Sequence, residues 1–572
     1  MDQCLQDKHY LIVCEIGPIR EFTSNNRKTI DFWGASFLFS YMMAEVAKKV
    51  KQQGARIILP FLDDNPMITG KGSVFYGSVP DQIFILVDGD KKEAIKEILN
   101  SAISEIIAII IEKINSRILT QNPAGKDVAA EIRDFFNFFY IVHEIAKPEP
   151  SEDEFQDAEK KIKYRSMLHP FNQFDGQICL GKWNKCGLCG DRQSIHKILR
   201  RRRQGPDEEE HICGVCLIKR YLKLIGQDMV ANLVPPDYDS TSDIAAIPVE
   251  RHYSALMTSG NVADENKDNL KKAYDALTSD TSAKPSNVDK DAHRWFFDDS
   301  KEAFKNALKD CYKQANQPSG GYPENPLIWL ERPFFAVVFL DGDDMNRFRH
   351  DPAVSKALAC FSNHDVHKIV TNDHGGKVIY CAGDDIALLI HPEKMIDCIE
   401  KLNAAYADAL KNRSTTAKKM TLSAGAVICH HKFPLSEAIR RAANLLHECA
   451  KKTQGKNATA ISLIKGHTET LCLTVSNDLL PKIKEIRDIL LMAGMSRTTP
   501  YRIREQKEIL VKLREMHDAL QKNYLCSILS SSRDVVQTAD QVGKIADCMM
   551  MFNDTETMIN ALILARFLAG DK

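Results

Sequence analysis

Two short apolar runs near the middle of the chain each end in a cluster of aspartates. The first run, residues 334–340, stops at an Asp-Gly-Asp-Asp sequence that begins with Asp341. The second run, residues 378–381, reaches Ala-Gly-Asp-Asp at residues 382–385 and is followed by another apolar run. Short runs rich in β-branched and aromatic residues, bounded by turn residues, predict buried strands. The run at residues 378–381 and the run that follows residue 385 predict a hairpin with an acidic tip. Gly383 suits this tip because glycine adopts backbone conformations that other residues rarely reach.

The segments that follow alternate between helical and strand patterns. Helical spacing covers residues 392–411 and 436–452, and strand patterns cover residues 420–429 and 458–464. A further helical segment precedes the hairpin. The resulting order of strand, helix, strand, strand, helix, strand predicts an α+β fold, with a ferredoxin-like (βαββαβ) domain over residues 326–475.

A similar alternation is found near the start of the chain. Strand patterns lie at residues 10–14, 56–59 and 82–87. Between the first two, the chain reads Ile-Gly-Pro, then Arg-Lys-Thr, then Trp-Gly-Ala-Ser, and apolar positions over residues 32–46 recur at the spacing of a core-facing helix. No Asp-Asp hairpin joins the later strands. We therefore predict another ferredoxin-like domain over residues 1–155, with a helical extension and no metal motif of its own.

Four cysteines form two Cys-x-x-Cys pairs. Cys186 and Cys189 make the first pair, and Cys213 and Cys216 make the second. Two such pairs supply the four thiolates of a tetrahedral structural zinc site. Because four ligands close the coordination shell, we do not expect this zinc to be catalytic. The surrounding residues, 156–325, are predicted to form a helical domain.

Charge is concentrated between the two cysteine pairs. Four arginines at residues 200–203 are followed by acidic residues at 207–210. One interpretation is a solvated loop whose charges balance one another. The other is an arm that contacts the phosphates of a nucleic acid.

The remainder of the chain and its composition give broader predictions. Helical patterning with many Leu, Ile and Met residues predicts a helical bundle over residues 476–572. The formal net charge is −1, so contact with nucleic acid would need local basic patches. Sixteen cysteines without a signal peptide indicate a reduced, cytoplasmic protein. No apolar stretch is long enough to cross a membrane.

The acidic strand ends indicate metal chemistry. Asp341, Asp384 and Asp385 would meet at one sheet edge, where like charges repel unless a cation neutralises them. Hard oxygen ligands suit Mg²⁺ or Mn²⁺. A pair of such ions can activate an attacking hydroxyl and stabilise the leaving oxygen in phosphoryl transfer. The alternative is two ordinary turns, because Asp-Gly is common turn chemistry.

These motifs also resemble a known family. A strand ending in Asp-Gly-Asp, followed by a Gly-Gly-Asp-Asp-type hairpin, is similar to the palm domain of nucleotide cyclases and polymerases. In particular, it resembles the large subunit of type III-B (Cmr-type) CRISPR interference complexes. Residues 9–90 resemble the first palm domain of the same subunit. We call residues 1–155 the first palm and residues 326–475 the second palm. The hairpin departs from the family at Ala382, which replaces a glycine and adds one methyl group.

The resemblance implies an ATP site in the second palm that the first palm completes. It makes Asp341, Asp384 and Asp385 the catalytic residues and the ligands of two Mg²⁺ or Mn²⁺ ions. The expected nucleotide contacts are Gly342, Ala382, Gly383, Lys432, Trp33 and Ser36. Lys432 is the preferred cation because it lies in a His-x-Lys-x-Pro segment; Lys451, Lys452 and Lys456 are weaker candidates. Helix packing is an equal alternative for Trp33 and Ser36.

The function that the resemblance implies is condensation of ATP into cyclic oligoadenylate when target RNA is bound. The expected partners are other Cmr-type subunits, guide crRNA and target RNA, with no membrane contact. One alternative is a catalytically inactive scaffold subunit, and another is transfer of ATP to a different acceptor such as S-adenosylmethionine. Many relatives carry an N-terminal histidine-aspartate nuclease domain, which we do not expect here.

Overall fold

The computed structural model describes residues 8–120, 126–168, 185–200, 208–234, 240–278, 300–315, 332–411, 420–466, 468–493, 496, 498–531 and 538–570. These residues form a four-stranded sheet, a six-stranded sheet, a two-stranded hairpin and the helices that pack against them. None of the described helices is both long and apolar enough to span a membrane.

The first palm is built on the four-stranded sheet, whose strand order is β2-β3-β1-β4. Its strands are β1 (His9–Gly17), β2 (Arg56–Leu59), β3 (Gln82–Asp88) and β4 (Asn137–Ile145). Its helices are α1 (Ile19–Ser24), α2 (Thr29–Gln52), α3 (Pro66–Thr69), α4 (Lys92–Arg117), α5 (Lys126–Phe135) and α6 (Glu152–Met167). Neighbouring strands are antiparallel, as a βαββαβ chain requires. Helix α6 crosses the predicted boundary at residue 155 because Phe155 and Ile162 pack into the core under this sheet.

In the segment that follows, the described residues form a short hairpin and four helices. They are β5 (His196–Arg200), β6 (Glu208–Ile212), α7 (Gly214–Gly226), α8 (Thr241–Thr258), α9 (Asp264–Thr278) and α10 (Ser300–Ala315). Part of the predicted charged loop is therefore a strand, in which Glu210 is buried and accepts a 2.9 Å hydrogen bond from Arg220 Nη1. The solvated-loop interpretation is wrong for Glu210. Residues 201–207 lie outside the described part of the chain.

Helix α2 lies at the centre of the molecule and is buried along almost its whole length. Arg220 of α7 donates to its Asp31 (Nη2 to Oδ2, 2.9 Å), and both side chains are fully buried. At Gly34 the two helices approach so closely that an added Cβ would lie 2.2 Å from the carbonyl oxygen of Lys219. An apolar surface on all sides fits a helix that lies between layers.

The second palm is built on the six-stranded sheet, with strand order β12-β11-β10-β7-β9-β8. Its strands are β7 (Phe334–Gly342), β8 (Lys377–Ala382), β9 (Asp385–Ile390), β10 (Leu422–His430), β11 (Ala458–Ile464) and β12 (Glu469–Ser476). Its helices are α11 (Pro352–Cys360), which continues through π-helical segments Phe361–Asp365 and Lys368–Asp373, α12 (Pro392–Leu410) and α13 (Leu435–Asn444). Strands β7 to β10 repeat the order of the first sheet. The strand β11 runs parallel to β10, and β12 adds an edge strand that the sequence did not predict.

The C-terminal region is helical, as predicted. Its helices are α14 (Leu480–Ala493), α15 (Thr499–Glu505), α16 (Lys507–Met516), α17 (Asp518–Ser530), α18 (Ala539–Met550) and α19 (Thr555–Leu568). These helices share one hydrophobic core with the second palm. The ring of Phe567 lies edge-on to that of Phe334 in β7, with the centroids 5.0 Å apart. The bundle therefore supports the strand that carries the first aspartate cluster.

Candidate active site

The second palm brings the three predicted aspartates to one edge of its sheet. Strand β7 lies between β9 and β10 and delivers Asp341 at its end. Strands β8 and β9 are joined by residues 383–384, and Asp385 pairs with Ala382 as the hairpin closes. Because Leu340 pairs with Ile386 across the β7–β9 ladder, the hairpin tip lies level with the end of β7. The register therefore places Asp341, Asp384 and Asp385 at the same edge of the sheet.

Two glycines permit this geometry. Gly383 has a φ of +68°, in the left-handed region that favours glycine. A Cβ on Gly342 would lie 2.4 Å from Oδ2 of Asp384 and 2.4 Å from the Tyr406 hydroxyl, so no side chain fits there. Ala382 is buried as the last residue of β8, and its φ is not positive. The departure from Gly-Gly-Asp-Asp thus falls where an ordinary strand residue suffices.

The charges of the aspartates oppose one another. Burial and the nearby carboxylate of Asp341 raise the pKa of Asp384 to about 6. The side chain of Asp385 has an exposed face, but the protein around the tip removes water from its other sides. This desolvation, with the charges of Asp341, Asp384 and Asp81, raises the pKa of Asp385 well above its usual range. A bound cation would relieve this repulsion.

Lys451 supplies a positive charge at this edge. Its Nζ lies 2.9 Å from Asp341 Oδ2 and 3.1 Å from Asp343 Oδ1, and it donates to the carbonyl oxygens of Asp341 (2.9 Å) and Gly342. Lys456 pairs with Asp344 at 2.8 Å. Of the three lysines that the sequence ranked below Lys432, Lys451 and Lys456 contact the acidic strand end, whereas Lys452 pairs with Glu448.

Lys432 lies far from the aspartates, so the structure does not support its predicted contact with a nucleotide held there. Strand β10 pairs antiparallel with β7, so that Leu422 lies beside Gly342 whereas His430 lies beside Phe334. Lys432 follows His430 and is exposed at that opposite edge. Seven residues of strand separate Phe334 from Asp341, which corresponds to about 23 Å. One triphosphate cannot bridge that distance to ions held by the aspartates.

Asp343 is a buried member of the site that the sequence did not single out. It is 4% exposed, and its carboxylate accepts hydrogen bonds from Ser423 Oγ (2.8 Å), Thr421 Oγ1 (2.8 Å) and the Asn457 backbone N–H (2.9 Å). With Lys451 these donors occupy the lone pairs of both oxygens. Asp343 therefore ties the end of β7 to β10 and to the start of β11, rather than facing the hairpin as a ligand.

Trp33 and Ser36 lie within α2 and are buried. The indole N–H of Trp33 donates to the carbonyl oxygen of Phe75 at 3.0 Å, and the ring stacks on Phe37 with a 4.6 Å centroid separation. Ser36 Oγ donates to the carbonyl oxygen of Phe32 at 3.1 Å. Trp33 is 0% exposed, which leaves no face for a base or ribose. The helix-packing alternative describes both residues.

The four cysteines converge beside the β5–β6 hairpin. Cys186, Cys189, Cys213 and Cys216 place their sulfur atoms within 4.8 Å of one another. Cys186 lies in a tight turn closed by Gly190, whose N–H donates to the Cys186 carbonyl at 2.9 Å, and Cys213 caps the N-terminus of α7. Hydrogen bonds from the other three thiols lower the pKa of Cys189. Four sulfur donors in this arrangement fit zinc. Within the described ranges, the four cysteines are the one group of three or more Cys, His, Asp or Glu side chains whose ligand atoms all lie within 4.8 Å of one another.

Two models of known protein families match segments of this chain. Residues 334–460 match the model described as "Cas10/Cmr2, second palm domain", and residues 11–112 match "CRISPR-associated protein Cmr2, N-terminal". Both matched segments are domains of the Cas10/Cmr2 family. The first match covers all three aspartates and Lys451, and the second covers the buried helix α2.

A curated relative supports the assignment to the Cas10/Cmr2 family. It is the "CRISPR system Cmr subunit Cmr2" of Pyrococcus furiosus, 22% identical over 557 residues. The alignment covers 80% of this chain and 61% of the relative. The chain therefore spans about three-fifths of the length of that relative.

Solved structures of Cmr assemblies share the fold. The apo Type III-B Cmr-beta structure matches with a TM-score of 0.64 and 13% identity, covering 99% of this chain and 82% of that chain. Type III-B Cmr-beta bound to cognate target RNA matches with a TM-score of 0.62 and 14% identity, covering 94% and 80%. At these identities the likeness concerns the fold alone.

Proposed function

We propose that this chain is the large subunit of a type III CRISPR RNA-guided antiviral effector complex and condenses ATP into cyclic oligoadenylate when target RNA is bound. The observation that carries the proposal is the placement of Asp341, Asp384 and Asp385 at one edge of the sheet, beside the end of the central strand of a Cas10/Cmr2 second palm. The raised pKa values of Asp384 and Asp385 support it, because they mark a site whose carboxylates need a cation.

The donor set fits two Mg²⁺ or Mn²⁺ ions, which Asp341, Asp384 and Asp385 would hold. Carboxylate oxygens are the ligands that these ions prefer, together with phosphates of a substrate. When bound, such ions lower the barrier to attack by a 3′-hydroxyl oxygen on the α-phosphorus of a second ATP, with pyrophosphate leaving.

The surrounding residues of the chain give the aspartates their fixed geometry. Gly342 lets the Asp384 carboxylate approach the end of β7, and its N–H donates to that carboxylate. Asp343 anchors the same strand end through Ser423 and its neighbours. Lys451 offsets the charge of Asp341 and lies where it could meet a phosphate beside that carboxylate. Catalysis by positioning and charge requires this kind of rigid support.

The proposed partners follow from the relatives. The Pyrococcus furiosus protein is a Cmr subunit, and one structural neighbour is bound to cognate target RNA. We propose that this chain likewise assembles with other Cmr-type subunits, guide crRNA and target RNA. We also propose that Cys186, Cys189, Cys213 and Cys216 hold one structural zinc ion.

The second candidate is a scaffold subunit without activity. The three neighbouring carboxylates argue against this candidate, because their mutual repulsion destabilises a fold that holds no metal there. A third candidate, transfer of ATP to S-adenosylmethionine or another acceptor, uses the same aspartates. Nothing in the described geometry separates the acceptors.

The test uses the assembled complex with guide RNA. The complex is incubated with labelled ATP and Mg²⁺, with and without target RNA and with and without S-adenosylmethionine, and products are identified by mass spectrometry. Our proposal predicts oligoadenylate that depends on target RNA. A product that contains S-adenosylmethionine would show that this molecule, and not a second ATP, is the acceptor. Unchanged ATP in every arm would favour the scaffold subunit without activity.

A further inference from the structure

The first palm reaches the aspartate hairpin through one short segment. Residues 60–81 connect β2 to β3, and Gly77 in this connection forms a parallel bridge with Tyr380 of β8. The Cys381 N–H donates to the Gly77 carbonyl oxygen at 3.1 Å. Strand β8 is the edge of the six-stranded sheet, so Gly77 covers that edge. Cys381 lies one residue before the Ala-Gly-Asp-Asp tip.

This segment is fixed to both palms. On the side of the first palm, Phe75 accepts the hydrogen bond from Trp33, and Ser40 Oγ donates to the Val79 carbonyl oxygen at 2.6 Å. On the side of the second palm, the Tyr76 hydroxyl donates to the Ser362 carbonyl oxygen at 2.6 Å. The residues on either side of Gly77 therefore have little freedom to move.

Gly77 has no room for a side chain. An added Cβ would lie 2.7 Å from Ser40 Oγ, 3.0 Å from Ser40 Cβ and 3.1 Å from the Ser36 carbonyl oxygen. Glycine in such a place allows another backbone to approach closely. Here it lets helix α2 lie directly behind the edge of β8. Ser36, for which helix packing was one of two equal alternatives, contributes its carbonyl oxygen to this contact.

We infer that Gly77 is a positioning residue that holds the aspartate hairpin of the second palm against the buried helix of the first palm. The inference rests on the proposed function and deepens it, since it gives the first palm a part in the site. A side chain at residue 77 would push the segment away from α2 and towards Cys381. The tip that carries Asp384 and Asp385 would shift with it. A misplacement of about 1 Å costs on the order of a hundredfold in rate.

The test is Gly77→Ala in the assembled complex, with Gly466→Ala as the matched control. Gly466 has no atom within 4 Å of an added Cβ and does not need a positive φ. For Gly77→Ala we expect kcat for ATP to fall by about tenfold to a hundredfold with KM for ATP changed less. We also expect weaker Mn²⁺ binding, measured by electron paramagnetic resonance. Gly466→Ala should match the unchanged chain in both measurements.

A second substitution distinguishes positioning from general damage. Ser40→Gly removes both Ser40 atoms that the new Cβ would meet, so Gly77→Ala combined with Ser40→Gly should recover most of the Mn²⁺ affinity relative to Ser40→Gly alone. Unchanged Mn²⁺ affinity in Gly77→Ala, or a loss that Ser40→Gly does not relieve, would overturn the inference. Mn²⁺ binding is measured without turnover. Failure of the proposed function would appear separately, as absent ATP turnover in the unchanged complex.

Discussion

The two palms share a strand order but join one equivalent pair of strands differently. In the second palm, residues 383–384 turn β8 directly into β9. In the first palm, residues 60–81 make the equivalent connection between β2 and β3. An Asp-Asp pair accompanies each connection: residues 63–64 lie within the longer one, and residues 384–385 are the end of the short turn and the first residue of β9. Only the length of the connection and the strand beside it differ.

That difference decides the chemistry of the two pairs. Asp63 and Asp64 are exposed, and Asp63 pairs with Lys51 at 2.7 Å on the surface. The neighbouring strand β1 ends at Gly17 without an aspartate. In the second palm the short turn holds Asp384 and its neighbour against the acidic end of β7. An acidic dipeptide thus becomes a metal-site candidate through the turn that carries it and the strand it faces.

The largest effect is expected from removing the two hairpin aspartates, which distinguish the second palm from the first. Asp384→Ala combined with Asp385→Ala should lower ATP condensation by at least about a thousandfold, because it removes ligands for ions that supply several kcal/mol of transition-state stabilisation. The matched control is Asp63→Ala with Asp64→Ala, which should retain full activity. Both are measured as product formed by the assembled complex. Equal activity of the two double variants would refute the assignment of the site.

The second expected effect concerns the cysteine cluster, which is attached to the first palm through the Arg220–Asp31 contact. The protein should contain about one zinc ion per chain by elemental analysis. Cys186→Ser with Cys213→Ser should lose the ion and unfold at a lower temperature, because structural zinc contributes to folding. Cys360→Ser, an exposed cysteine outside the cluster, is the control. Zinc content near zero in the unchanged chain would contradict the assignment.

A third, smaller effect compares two lysines of the second palm. Lys451→Met should lower kcat by about a hundredfold, because it removes a charge that faces Asp341. Lys432→Met should leave kcat and KM for ATP within about twofold of the unchanged chain, since Lys432 lies at the opposite edge of the sheet. Steady-state kinetics would distinguish them. The reverse ranking would restore the sequence-based choice of Lys432.

The smallest effect is a pH dependence of stability without added divalent ions. The pKa of Asp384 is raised in the folded chain to about 6, so its ionisation disfavours the folded state as pH rises from about 4 through 6. Asp384→Asn removes this cost. Its melting temperature should therefore exceed that of the unchanged chain at pH 8 and approach it at pH 5. A difference that does not change with pH would argue against the electrostatic account.

The features that could be predicted from the sequence are those that depend on a local pattern of residues. Apolar runs that end in Asp341 and in the Ala-Gly-Asp-Asp turn carry their own strand and hairpin signals, and the Cys-x-x-Cys pairs carry their own spacing. The βαββαβ order of both palms followed from the same patterns. The extra strand β12 was missed, because it follows a pattern that was already complete as βαββαβ.

Long-range packing determined what the sequence did not predict. Lys432 follows its strand closely in sequence, but the antiparallel register of β10 carries it to the far edge. Lys451 returns to the acidic edge because β11 runs parallel to β10. Glu210 belongs to a charge run yet is buried beside Arg220, whose position ten residues later gave no local signal. Register and burial of this kind are set by the whole fold.

The most direct test of the central claim is a count of bound Mn²⁺ ions by electron paramagnetic resonance in the presence of a non-hydrolysable ATP analogue. The unchanged chain should bind two ions per second palm, with the signal broadened by their proximity. Asp384→Asn with Asp385→Asn should lose this binding, whereas Asp63→Asn with Asp64→Asn should keep it. Equal Mn²⁺ binding by the two double variants would contradict the account that the second palm alone carries the metal site.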